Sequence, residues 1–124
     1  MFSDPLSITI GGTARSFPRI GPGSGPMSSV YRTADGEFQL EISHNSADKG
    51  RRESALIRLS QRTTAANPLN PTTYLPYEAR GHIVINCPAN GVGITDAQVA
   101  DLTKALCTFV STPANLAKIQ GQES

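Results

Sequence analysis

The sequence predicts an α+β fold in which an antiparallel sheet comes first and two helices follow it. Residues 37–62, EFQLEISHNSADKGRRESALIRLSQR, alternate: Phe38, Leu40 and Ile42 fall on one side, Gln39, Glu41, Ser43 and Asn45 on the other. That is the period of a strand with one buried face. The pattern returns with Ala55, Ile57 and Leu59 against Ser54, Leu56, Arg58 and Ser60. From residue 93 onward, GITDAQVADLTKALCTFVSTPANLAKIQ, the apolar spacing becomes helical. All strand patterns precede the helical ones, and an order without βαβ alternation indicates an antiparallel sheet with helices on one face.

Taken in order, LSITIGGTARSFPRI reads as a hairpin, Leu6 to Ile10 and Thr13 to Phe17, around Gly11-Gly12. GPGSGPM, residues 21–27, reads as a connector; its prolines remove backbone donors and no helix follows, which excludes a phosphate-cradling loop. SSVYRTA is a short strand ended by the Asp35-Gly36 turn signal, and residues 37–45 and 53–61 are long strands. Residues 63–76 carry Pro68, Pro71 and Pro76, so they read as a long surface loop and not as a central strand. ARGHIVINCP is the last strand, with Ile83, Ile85 and Cys87 on one side and Arg80, His82, Val84 and Asn86 on the other.

The first helix starts at a capping-box spacing, Thr95 with Gln98, has Asp96 in its first turn, and carries an apolar stripe of Val99, Leu102, Leu106, Phe109 and Val110. Thr112-Pro113 ends it and opens a shorter helix with Leu116 and Ile119. The chain divides as one domain over 1–124: hairpin in 1–20, main sheet in 28–88, helices in 95–120.

With 124 residues, no Trp, four Phe, three Tyr, eleven Gly and nine Pro, the chain has little material for a core of its own. A sheet of five or six strands is roughly 24 to 29 Å wide, whereas two helices cover at most some 20 Å of it. Either apolar surface stays wet or a second copy supplies cover, so a homodimer is expected.

The net charge of +1 excludes a strongly basic domain, but Lys49, Arg51, Arg52, Arg58 and Arg62 stand against Glu53 alone in one hairpin. The N-terminal MFSDPLSITI has no signal-like apolar run, and no segment approaches the roughly 20 apolar residues of a membrane span, so synthesis in the cytosol is expected. Cys87 and Cys107 form no metal-ligand spacing with the two histidines and read as buried free thiols; neither metal nor cofactor is expected.

Strand parity assigns the polar face Gln39, Glu41, Ser43, Asn45, Ser54, Leu56, Arg58, Ser60, Arg80, His82, Val84 and Asn86. Such a face is either simply solvated or a platform able to grip phosphates and meet exposed bases of single-stranded RNA. His82 with Ser43 or Ser54 could suggest a hydrolase, but there is no nucleophile elbow and no carboxylate pair. No catalytic residue is expected.

The Gly-Gly hairpin, FQLEIS, the basic turn KGRRES, the proline-containing segment before the last strand, and TDAQVADLTKAL with its Pro-led second helix together resemble the coat proteins of small single-stranded RNA bacteriophages, the leviviruses. The resemblance covers nearly the whole chain. It implies an N-terminal hairpin, a five-stranded antiparallel sheet, and two C-terminal helices that pack on the sheet of a dimer partner. Dimers would join sheet edges and close into an icosahedral T=3 shell in the virion, assembled in the bacterial cytoplasm, with the polar face toward genomic RNA. The segment 63–76 would vary around the symmetry axes.

It further implies an RNA hairpin as ligand for packaging and for repression of replicase translation, with Ser43, Ser54, Arg58, Arg80 and His82 as contacts and Gln39, Arg51 and Arg52 as phosphate supports. Val99, Leu102, Leu106, Phe109 and Val110 would form the dimer interface. The chain departs from the family where Arg80 or His82 replaces a stacking Tyr, and where Glu41 would repel phosphate. A non-viral dimeric RNA-binding module using the same open face is the alternative.

Overall fold

The computed structural model describes residues 2, 4–23, 27–47, 52–88 and 93–123. Seven strands precede two helices: β1 (Leu6–Ile10), β2 (Thr13–Phe17), β3 (Arg19–Pro22), β4 (Met27–Arg32), β5 (Phe38–Ala47), β6 (Arg52–Asn67), β7 (Asn70–Pro88), α1 (Asp96–Ser111) and α2 (Pro113–Gln120). β1 and β2 form a separate hairpin, and the others form one antiparallel sheet in the order β3-β4-β5-β6-β7. The expected hairpin, five-stranded sheet and C-terminal helix pair are therefore all present.

Two turns follow directly from the residues. Gly11 and Gly12 both take positive φ, 61° and 80°, closing the β1–β2 hairpin at little steric cost. Between β4 and β5, Asp35 accepts from the Thr33 hydroxyl at 2.6 Å and from the Glu37 amide at 3.0 Å, and Gly36 takes φ 75°.

The apolar halves of the strands meet across the sheet as the alternation requires: Ile42 pairs with Ile57 and Ile57 with Ile83, while Leu40 pairs with Leu59. Over one end of this face lies the N-terminal hairpin. Leu6, Ile8 and Ile10 pack on a buried cluster of Phe17, Tyr31, Phe38, Leu40 and Ile42. Arg15 adds its guanidinium carbon 4.6 Å from the centroid of the Phe38 ring, a cation–π contact that ties hairpin to sheet. On β6, Ile57 and Leu59 pack against the margin of this cluster and stay half-buried, and among the described residues no element covers the β7 side, where Ile83 and Ile85 are half-buried as well.

The helices do not provide it. α1 begins with the anticipated capping box, Gln98 N–H donating to Thr95 Oγ1 at 3.3 Å and Thr95 N–H to Gln98 Oε1 at 3.0 Å. Yet α1 and α2 pack on each other with only marginal contact to the sheet, and neither has a buried residue. Leu102 is 71% exposed, Leu106 52% and Phe109 56%. Full burial of such a side chain is worth about 1.5–3 kcal/mol, and these forgo the share that belongs to their exposed part.

Three expectations need correction. Residues 63–76 are not a loop: β6 and β7 run on as a long two-stranded ribbon turned at Pro68-Leu69, with a register shift near its tip. β7 lies at the margin of the sheet, and a marginal strand tolerates Pro71 and Pro76 because one side of it has no ladder to lose. The connector 21–27 is partly strand, since Arg19–Pro22 is the fifth strand of the sheet and β4 starts at Met27; Gly21 at φ 153° marks the register shift that lets it pair. Cys107 is exposed and not buried, while Cys87 is intermediate.

Leu40→Ala is expected to lower the unfolding free energy by about 2–5 kcal/mol, read from urea denaturation, because Leu40 fills the junction of hairpin and sheet.

Candidate nucleic-acid interface

The residues on the opposite, open face stand in rows set by the register. One row is Arg32, Gln39, Ser60 and Arg80; the next is Val30, Glu41, Arg58 and His82; a third is Ser28, Ser43, Leu56 and Val84; a fourth is Asn45, Ser54 and Asn86. Arg52 shares this parity at the far end of β6. Gln39, Ser43, Arg52, Ser54, Arg58, Arg80 and His82 thus share one face, whereas Arg51 lies outside the described residues.

The rows differ in character. In the third, hydroxyls of Ser28 and Ser43 adjoin the apolar Leu56 and Val84, and the fourth carries two amides and a hydroxyl. Ser54 lies four residues from Arg58 on β6, about 13 Å along the strand, while His82 pairs with Arg58. Ser43 is one row and two strands from His82. No serine–histidine pair assembles from these residues.

Charge concentrates at the other end, where the long ribbon leaves the sheet. A depression of about 310 Å³ is lined there by Arg32, Arg58, Arg62 and Arg80 together with Gln39, Ser60, Glu37 and Glu78. Glu78 Oε1 and Oε2 accept from Arg80 Nε at 2.8 Å and Nη2 at 3.2 Å, a two-pronged ion pair, and Arg62 Nη2 stands 3.8 Å from the same carboxylate. Arg32 Nε and Nη2 donate to Gln39 Oε1, at 3.3 and 3.0 Å, which orients the guanidinium without neutralising it.

Glu41 is not a bare repulsive charge. Only 6% exposed, it pairs with the Arg58 guanidinium, so one positive and one negative group on this face are already matched. The Arg80 hydrogen bond and its charge hold the Glu78 carboxyl below its ordinary value, and Glu78 in turn raises the Arg80 guanidinium. Asp35 is held low by the Thr33 hydroxyl and the Glu37 amide.

Sequence reasoning does not reach Arg32 or Glu78, and it takes Arg62 only as one of the basic residues of the hairpin. SSVYRTA is too short for its alternation to assign Arg32 a face, and the prolines end the legible alternation at residues 61 and 79. A ladder extended past the prolines would have brought Arg62 opposite Glu78.

Solved structures share this architecture. A virus-like particle of bacteriophage AVE019 superposes with a TM-score of 0.77 at 7% identity, covering 97% of this chain and 95% of that one. A virus-like particle of Beihai levi-like virus 21 gives 0.73 at 12%, covering 98% and 95%. The fold is that of phage coat proteins. The capsid protein of bacteriophage GA has this coat-protein fold as well, with a TM-score of 0.62 at 16% identity over 98% of this chain and 95% of that one. No protein-family model matches the sequence, and a search of curated proteins finds no match. The coat-protein fold is thus conserved in shape where identity is low.

A depressed carboxylate contributes stability that is present above its unfolded value and lost as pH falls through the folded one. For Glu78 that loss lies below pH 4.5. In an Arg80→Ala variant the Glu78 carboxyl is expected to titrate closer to 4.5 than in the parent protein, measured by carbon-detected NMR. Unchanged titration would remove Arg80 as the cause.

Proposed function

We propose that this chain is the coat subunit of an RNA bacteriophage: two copies interlock, dimers close into an icosahedral T=3 shell, and the open polar face meets single-stranded RNA within it. The observation that carries this reading is complementary incompleteness. α1 and α2 present Leu102, Leu106, Phe109, Val110, Leu116 and Ile119 to solvent, and among the described residues no element covers the β7 side of the apolar face. A second copy satisfies both at once, its helices lying on this sheet while these helices lie on its own. Val99, half-buried at the start of α1, belongs to the same stripe.

The likeness to particle-forming proteins supports assembly beyond a dimer. Gln39, Ser43, Ser54, Arg58, Arg80 and His82, with Arg52 and Arg51 near the basic turn, are the RNA contacts in this reading, and an RNA hairpin that marks the genome and represses replicase translation is the specific ligand. The subunit resides in the virion after assembly in the cytoplasm of a bacterial host. Its role is structural, with neither catalysis nor a cofactor.

Electron microscopy of the protein purified from expressing bacteria tests assembly: uniform closed particles are expected, and stable isolated dimers would favour a non-viral RNA-binding module. Leu106→Asp is expected to abolish the dimer in light scattering, since it places a charge in the stripe that the partner must cover. For RNA, Arg58→Ala is paired with Glu41→Gln so that no buried carboxylate is left without its guanidinium. This double variant is expected to weaken RNA binding in a filter assay while the dimer persists; unchanged binding would remove Arg58 from the interface.

A further inference from the structure

The depression where the long ribbon joins the sheet shares Gln39, Arg58 and Arg80 with the contacts that the resemblance implies and adds Arg32, Arg62 and Glu78 to them, and its composition points to a particular ligand. It is lined by the short or flexible polar groups Gln39 and Ser60 and by Arg32, Arg58, Arg62 and Arg80, with Glu37 and Glu78. With Arg58 matched by Glu41, the remaining Arg32, Arg62 and Arg80 against the lining carboxylates Glu37 and Glu78 leave a surplus of one positive charge.

The surplus is held ready for an anion. Arg58 is committed to Glu41, and Glu37 accepts from Gln61 Nε2 at 2.9 Å. Arg32 meets only the neutral Gln39 amide, and none of the three ion pairs among the described residues includes it. Arg62 is 69% exposed and Arg80 54%, both leaning on the single carboxylate of Glu78. Guanidinium forks of this kind match phosphate oxygens in pairs, and rows of them track a nucleic-acid backbone.

We propose that Arg32 and Arg62, together with Arg80 of the RNA face and beside Gln39 and Ser60, form an added phosphate-binding subsite for single-stranded RNA, with Glu78 as a built-in competitor for two of its guanidiniums. The subsite rests on the RNA-binding reading above and extends it toward the β4–β5 turn. In the RNA-free chain Glu78 stands in for a phosphate: it takes the Arg80 fork through both oxygens and keeps Arg62 and Arg80 from facing each other without a counter-charge. An incoming phosphate displaces that carboxylate, so Glu78 lowers affinity while preserving the arrangement of the arginines.

The test uses the full-length protein and a short fluorescent oligouridylate, with binding followed from about 50 to 200 mM salt. Arg32→Ala and Arg62→Ala are each expected to weaken binding by up to about fivefold and to reduce the slope of log affinity against log salt by roughly 0.7, the value of one single-strand phosphate contact. Glu78→Gln is expected to tighten binding, a gain that misfolding cannot imitate. Parental affinity and slope in both arginine variants would overturn the subsite, as would Glu78→Gln binding no tighter than the parent; parental protein that still binds in a salt-dependent manner leaves the wider reading intact. Parental protein that fails to bind the oligouridylate at any salt would overturn the reading and the subsite together.

Discussion

Unsatisfied apolar surface governs this molecule. The chain has enough large side chains to seal one end of its sheet, where Phe17, Tyr31, Phe38, Leu40 and Ile42 lie beneath the N-terminal hairpin. It does not have enough to seal the other. Its helices, which could have lain over β6 and β7, project their apolar stripe outward. A compact monomer would have to abandon either the stripe or the sheet, and the dimer proposed above would remove the conflict. With the hairpin laid on one side of the sheet, most of the opposite side stays accessible for polar chemistry, Ser28 and Glu41 being buried there.

That open side shows how a nearly neutral chain can present a basic surface. Its charges are arranged by strand register and not by excess: β4, β6 and β7 each contribute arginines to the same few rows, while carboxylates are matched to particular guanidiniums. Glu41 is buried against Arg58, and Glu78 is shared by Arg62 and Arg80. Composition hides such a surface. Only the pairing reveals it.

Much of this was legible in the residues because the side-chain period of a strand is two, so alternation alone assigned Arg58, Arg80 and His82 to one face and Ile42, Ile57 and Ile83 to the other. The capping box at Thr95 and the break at Thr112-Pro113 were equally plain. What failed was the treatment of proline and glycine as universal strand breakers. Pro71 and Pro76 sit in a marginal strand, and Gly21 allows a short strand to pair after a register shift, so both segments belong to ladders. The exposure of Cys107 was hidden for another reason: a helical stripe indicates that a surface is covered, but not which chain covers it.

The same prolines carry a further implication. The outward side of β7 is a long row of backbone groups of the kind that seeds fibres. Proline has no amide hydrogen to offer, so the distal stretch holding Pro71 and Pro76 is a poor template for an added strand. An incoming backbone would find its template in the proximal stretch between Tyr77 and Cys87. A margin built this way offers only part of its length as a template and so resists endless lateral growth.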